Sequence, residues 1–224
     1  MGRRWSPIER ELRQEYGPLL AGVDEVGRGP LAGPVVACAA VMPADKAAIR
    51  GVNDSKQLTR ADREHFADRI RDQAIGLALG AASVREIERV NIYHATVLAM
   101  RRALTRLAAT GVTPDYVVVD GKPVRSLGIP HRAVVHGDAR CYSVACASII
   151  AKVTRDALMR RLAARHPCYG WDRNVGYGTR FHWSSLKEHG LSLHHRRAFC
   201  EDDQLELELT LGAITDDVAE ALVE

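Results

Sequence analysis

The chain has 224 residues, 46% hydrophobic and 26% charged, enough for one substantial core; no apolar run approaches a membrane span, so a single non-membrane domain is the default. Five cysteines without a C-x-x-C pair and nine histidines without ligand spacing exclude a disulfide scaffold and a zinc site. The formal charge of +3 conceals an asymmetry: nine of the 28 acidic residues and none of the 31 basic ones fall in 201–224, so residues 1–200 carry +12 and suit a polyanionic partner.

The N-terminal Met1-Gly2-Arg3-Arg4-Trp5 lacks the apolar region of a secretory signal, and a cytoplasmic location is expected. Leu19 to Val26 and Pro34 to Met42 read as two apolar strands joined by a glycine-rich turn, and Ile75 to Ser83 as a third. The turn is not a dinucleotide fingerprint, because Gly27, Gly29 and Gly33 miss the spacing by one residue and Asp24-Glu25 would repel a pyrophosphate. Thr59, with Asp62 three residues on, opens a helix through Phe66 and Ile70. A second helix follows Asn91, with Ile92, Ala95, Leu98 or Ala99, Ala103 and Leu107 on one face.

Tyr116 to Val119 forms a short buried strand ending at Asp120-Gly121, and Arg132 to His136 another ending at Gly137-Asp138. From Cys141 to Arg165 runs a long helix whose Ala147, Ile150, Ala151, Thr154, Leu158 and Leu162 share a face, stopped by Pro167 and Gly170. The segment from Gly176 is rich in loops, with a helix near Ser184 to His189. Strands mixed with helices point to an α/β domain with a mixed sheet.

Asp120 and Asp138 each follow a short apolar strand, where an open α/β sheet displays its functional side chains, and Asp24 lies near the end of the first strand. Strand alternation points Asp24 and Glu25 to opposite faces, so Glu25 joins the group only if the chain begins to turn there. Four carboxylates without His or Cys partners suit Mg²⁺ or Mn²⁺ rather than zinc. Two such ions about 4 Å apart would activate a water and stabilise the leaving oxygen of an in-line phosphoryl displacement, which is nuclease chemistry.

Gly22-Val23-Asp24-Glu25-Val26-Gly27-Arg28-Gly29, Asn53-Asp54-Ser55-Lys56, Val119-Asp120-Gly121, Gly137-Asp138, the run from Ala147 to Asp156, and Gly176-Tyr177-Gly178-Thr179 together resemble bacterial ribonuclease HII, in order from about residue 20 to 199. The resemblance implies a ribonuclease H-like fold: three antiparallel strands, then parallel ones, flanked by helices. It further implies metal-dependent cleavage of RNA in RNA–DNA hybrids and 5′ of single ribonucleotides in duplex DNA, leaving 3′-hydroxyl and 5′-phosphate ends. Asp24, Glu25, Asp120 and Asp138 would be the metal-site acids. Gly27, Arg28 and Gly29 would meet the 2′-hydroxyl at the RNA-to-DNA junction, with Tyr177 stacking on the adjacent sugar.

Lys56, Lys152 and Arg155 are candidate phosphate contacts, and Arg196-Arg197 weaker ones. Gly178, His136 and Ala198 stand where this family often has proline, lysine and serine. Ribonuclease HIII shares the chemistry but has an extra N-terminal domain, for which the 23 residues before Asp24 are too few. A non-catalytic hybrid-binding module is disfavoured because clustered acids beside phosphates give a pure binder nothing.

Residues 1–200 are expected to form one catalytic domain, with about 170–200 as a substrate-binding extension, and 201–224 an appended acidic tail. Gln204-Leu205-Glu206-Leu207-Glu208-Leu209 loosely resembles the Gln/Leu peptides that dock on the sliding clamp, although it lacks the terminal Phe and reads first as a solvated tail or added edge strand. A monomer is expected.

Overall fold

The computed structural model describes residues 5–200, and it begins with a helix that apolar patterning does not announce, α1 (Pro7–Tyr16). Ser6 Oγ accepts from the Glu9 amide at 3.1 Å while the Glu9 carboxylate accepts from the Ser6 amide at 3.0 Å, a reciprocal capping box with Pro7 in the first turn. Next come β1 (Leu20–Val26), β2 (Val35–Val41), α2 (Arg60–Gln73), β3 (Gly76–Ala82), α3 (Val84–Ala109), β4 (Tyr116–Asp120) and β5 (His131–Val134). The chain continues through α4 (Gly137–Arg140), α5 (Tyr142–Ala163), α6 (Trp171–Asn174), α7 (Arg180–His189) and α8 (Arg197–Cys200).

One five-stranded sheet has the order β3-β2-β1-β4-β5. β1 pairs antiparallel with β2 and β2 with β3, whereas β4 runs parallel to β1 and β5 parallel to β4. This is the mixed α/β sheet that the alternation of elements predicts. Ala21, Val23, Ala37, Ala39, Val117 and Val119 face α3, whose Ala95, Ala99, Ala103 and Leu107 pack on them. The opposite face, with Cys38 and Ala40, lies under α5 and α2. Gly22 is needed here because a Cβ would overlap the main chain of Ser143 and Val144, so its absence lets α5 lie directly on β1. Among the described residues no helix is long and apolar enough to cross a membrane.

Two helices differ from their sequence pattern. The helix expected to start after Asn91 has an earlier segment joined to it: Ser83 and Glu86 form a capping box at Val84, and the chain kinks at Asn91, where φ is 66°. Asn91 does cap the second segment, its Oδ1 accepting from the His94 amide at 3.1 Å. In α5 the residues from Tyr142 to Ala151 are buried all round, and beyond them the buried stripe is Arg155, Met159 and Ala163 rather than Thr154, Leu158 and Leu162. The helix is sandwiched at its start and afterwards turns that i, i+4 row inward, with Asp156 buried beside it.

The first turn of α5 has no capping side chain of its own. Glu9 supplies it from α1: fully buried, it accepts from the Tyr142 amide at 3.0 Å, the Ser143 amide at 2.8 Å and the Ser143 hydroxyl at 2.7 Å. A carboxylate against a helix N-terminus is favourable, and here it also satisfies donors that water cannot reach. Glu9→Ala strands those donors and should lower stability by about 3 kcal/mol, read as a shift in the urea unfolding midpoint.

The segment after α5 is organised by a neutral histidine pair. His182 Nδ1 donates to the Tyr177 carbonyl at 2.9 Å, so its Nε2 accepts, from Trp171 Nε1 at 3.1 Å and from His195 Nε2 at 3.0 Å. His195 Nδ1 in turn accepts from the Ser192 amide at 2.9 Å. Burial lowers both rings, His195 to about 4 with His182 adding to the effect. An unfolded chain takes up these protons near pH 6.5 and the folded one resists, so this contribution is whole above that pH and lost as pH falls toward 4. Amide-exchange protection of residues 182–195 should therefore fall over that range before protection of β1 and β4 does.

Candidate active site

The parallel register of β1 and β4 ends with Val23 opposite Val119, and the next residues on the two strands are Asp24 and Asp120. Both leave the sheet at one edge, on the side of α5. β5 pairs Val134 with Asp120, after which His136 takes a left-handed conformation (φ 58°, ψ 43°) that histidine tolerates better than most residues. That reversal aims the Gly137 amide at Asp120 Oδ1, 2.6 Å away, and sets buried Asp138 in the first turn of α4. Glu25 does not need the strand to break: β1 continues through Val26, with Glu25 still paired with Ala37, and the turn begins at Gly27 (φ 90°).

Each acid is held by a nearby donor. Asp24 Oδ1 accepts from the Glu25 amide at 2.7 Å, Asp138 Oδ1 from the Ala139 amide at 2.8 Å, and Glu25 Oε1 lies 3.3 Å from Arg28 Nη1. Burial raises Asp24 well above the usual carboxylate range, and the charges of Glu25 and Asp120 raise it further. Burial also raises Glu25, opposed by Arg28 and reinforced by Asp120. Asp138 is raised by burial, then by Asp120 and Asp54, against the pull of Lys56.

Among the described residues no group of three or more His, Cys, Asp or Glu side chains is arranged to hold a metal ion outright. Like charges at ~4 Å repel by roughly 4 kcal/mol at an effective dielectric of ~20. The donor set itself fits a hard divalent cation, being all carboxylate oxygen, and a cation would offset the mutual repulsion of the acids.

Two neighbours, Ser148 and Ser55, lie in the sequence motifs but were given no role from the sequence. Ser148 of α5 hydrogen-bonds Asp24, and its hydroxyl lies 2.9 Å from that of Ser55. Ser55 opens the short turn Ser55–Gln57, capped by Asp54, which accepts from the Lys56 amide at 2.9 Å. This turn sets Lys56 Nζ 3.6 Å from Asp138 Oδ2 while leaving its side chain 81% exposed. Burial works to lower the Lys56 pKa, but Asp138, Asp54, Asp24 and Asp120 outweigh it and raise it.

The glycine turn lies against the segment carrying Tyr177. The Leu31 and Ala32 amides donate to the Gly176 carbonyl at 2.8 and 3.3 Å, and Lys152 Nζ, paired with Asp156 at 2.9 Å, lies 5.9 Å from the Tyr177 ring centroid. Arg155 and Arg196 correct the expectation of phosphate contacts. Arg155 is fully buried and donates to the Pro34, Val175 and Ala32 carbonyls at 3.0, 2.9 and 2.9 Å. Arg196, also fully buried, donates to the carbonyls of Gly27, Arg28 and Gly33 at 2.6 to 3.0 Å. Neither guanidinium reaches solvent. Arg197 is exposed, its amide bonded to Glu88.

An acidic edge on a mixed five-stranded sheet, beside a glycine turn on a basic body, is a setting suited to metal-assisted phosphoryl chemistry on a nucleic acid. A family profile described as Ribonuclease HII matches residues 21–201. The ribonuclease HII of Granulibacter bethesdensis is 52% identical over 202 residues, covering 88% of this chain and 90% of that one. In structure, the ribonuclease H2 of Pyrococcus horikoshii aligns with a TM-score of 0.68 at 27% identity, over 84% of this chain and 97% of that one. The ribonuclease HII of Archaeoglobus fulgidus, solved in complex with PCNA, aligns at 0.66 and 26% identity, over 80% and 93%. The chain belongs to the ribonuclease HII family, divalent-metal-dependent endoribonucleases of RNA–DNA hybrids.

Replacing Asp24 by Asn removes a buried like charge, so the metal-free protein should gain roughly 1 kcal/mol. In thermal melts with chelator the variant should melt above the wild type, and added Mg²⁺ should raise the wild-type midpoint more than the variant's.

Proposed function

We propose that Asp24, Glu25, Asp120 and Asp138 hold two divalent cations, Mg²⁺ or Mn²⁺, and that the enzyme incises on the 5′ side of a ribonucleotide, in a hybrid or alone in duplex DNA. The observation that carries this reading is the placement of Asp24 and Asp120 at neighbouring strand ends on one face, with Asp138 delivered beside them by an amide bonded to Asp120. When bound, the cations supply an activated water and stabilisation of the departing oxygen, so the products are a 3′-hydroxyl and a 5′-phosphate.

The protein's own groups account for selection and alignment. Gly29 has nothing within 4 Å of where a Cβ would stand, so its open side admits a sugar edge that any larger residue would crowd. Main-chain groups of Gly27, Arg28 and Gly29 read the 2′-hydroxyl, the one group that marks a ribonucleotide within a duplex. Tyr177, 42% exposed, stacks on the following sugar, tolerating deoxyribose and crowding a 2′-hydroxyl. Lys56 contacts the phosphate next to the acids, and Lys152 supports the Tyr177 side of the groove. Residues 170–200 serve as the substrate-binding extension of a single catalytic domain.

The stretch Gln204–Leu209, whose loose likeness to clamp-docking peptides is the basis for proposing a sliding-clamp contact, lies outside the described residues, as does the whole acidic tail; the PCNA complex of the Archaeoglobus relative supports that proposal. The enzyme is proposed to act as a cytoplasmic monomer.

Asp120→Asn should abolish cleavage of a duplex containing one ribonucleotide while leaving hybrid affinity within about threefold, measured by gel assay and fluorescence anisotropy; retained turnover would remove Asp120 from the metal site. Tyr177→Ala should reduce junction cleavage by about tenfold or more with little change in duplex affinity. Equal losses in rate and affinity would mean that the ring serves packing instead.

A further inference from the structure

We propose that the buried pair His195-Arg196 is a positioning device that fixes the separation between the Gly27–Gly29 turn and Tyr177, and so sets how strictly the enzyme distinguishes ribose from deoxyribose. The proposal rests on the junction role of the turn and Tyr177. It concerns residues that touch neither substrate nor metal.

Three strips of chain from distant parts of the sequence meet at this pair. Arg196 grips the turn at both ends, its Nη2 donating to Gly27 at 2.6 Å and Gly33 at 2.7 Å, its Nη1 to Arg28 at 2.8 Å and its Nε to Gly33 at 3.0 Å. Its amide adds a bond to the Leu31 carbonyl at 2.8 Å, and a β-bridge joins Ala32 to His195. On the other side His195 Nε2 donates to His182, whose Nδ1 donates to the carbonyl of Tyr177. Hydrogen bonds from Arg196 to the Gly27 carbonyl, and from its chain neighbour His195 through His182 to the Tyr177 carbonyl, thus connect the turn to the Tyr177 main chain. All of its members that carry side chains into it are buried.

The guanidinium's shape matters. Its planar fork sends several donors to fixed places, and among the described residues Arg196 forms no ion pair, so its hydrogen-bonding capacity goes to main-chain carbonyls. With those carbonyls held at several points by one planar group, the peptide planes of the turn are fixed. A lysine would keep the charge but hold the turn by a single rotating ammonium. The turn would then be free to widen, admitting a sugar without the fit that a 2′-hydroxyl requires.

The test compares wild type, Arg196→Lys, His195→Asn and Tyr177→Ala on two substrates, duplex DNA with one ribonucleotide and an all-RNA strand paired with DNA, recording kcat and KM for each and mapping the cut positions. Circular dichroism and the metal concentration giving half-maximal rate report the fold and the acid site. Arg196→Lys should keep both, yet lose about tenfold or more in kcat on the single-ribonucleotide duplex, with a smaller loss and scattered cuts on the hybrid. His195→Asn should change selectivity in the same direction by less, and it carries the test should Arg196→Lys fail to fold. Folded variants with wild-type substrate ratios and cut positions, or with equal losses on both substrates, would overturn the proposal. If Tyr177→Ala also leaves the ratio untouched, the underlying reading of the junction fails; if it alters the ratio while the other two do not, only the positioning role fails.

Discussion

Four carboxylates gathered at one edge of a sheet repel one another, and much of the surrounding structure answers that repulsion. The edge exists because β1 and β4 are parallel and in register, so their terminal acids emerge side by side. Main-chain amides and a serine hydroxyl, rather than counter-charges alone, hold those acids, and Lys56 stands by from an exposed turn. Such a site is stable only because a large apolar sheet beneath it, covered by α3 on one side and α5 on the other, outweighs the local cost. Catalytic demand and folding stability oppose each other here, as they commonly do where charge must be concentrated.

Positive charge is handled in the opposite way. Arg155 and Arg196 are taken out of the solvent altogether and used as multi-pronged donors to irregular main chain. Loops bury carbonyls that no helix or strand satisfies, and a buried guanidinium answers several at once, at a desolvation cost that helices and strands avoid. The benefit is rigidity in a region that regular structure cannot reach. The +12 charge of residues 1–200 thus overstates what is offered to a nucleic acid, because two of the arginines nearest the groove never face it.

The acids were readable in the sequence because each comes at or just after an apolar run and close to a glycine, as at Asp24, Asp120 and Asp138, where an open sheet displays functional side chains. The mixed character of the sheet followed from the same runs, but its strand order did not. Glu9 was not readable, since α1 has only Ile8 and Leu12 as apolar guides and its capping target lies far along the chain. Arg155 and Arg196 were misjudged because an arginine's ordinary place is the surface, and nothing local shows that carbonyls of the 27–34 turn and of Val175 surround them. The His182–His195 contact spans 13 residues without metal-ligand spacing, and the role of Ser148 depends on which way one hydroxyl points inside an otherwise apolar stretch.

The contact between Glu9 and Ser143 joins residues separated by 134 positions. During synthesis α1 therefore emerges from the ribosome long before the helix end it must cap, and its acid stays hydrated until β4, β5 and the start of α5 have been made. That ordering gives the chain a late locking step: the N-terminal segment closes over the sheet only after both parallel strands are in place. Because α5 comes directly after α4, the same contact closes the end of the molecule that carries Asp138.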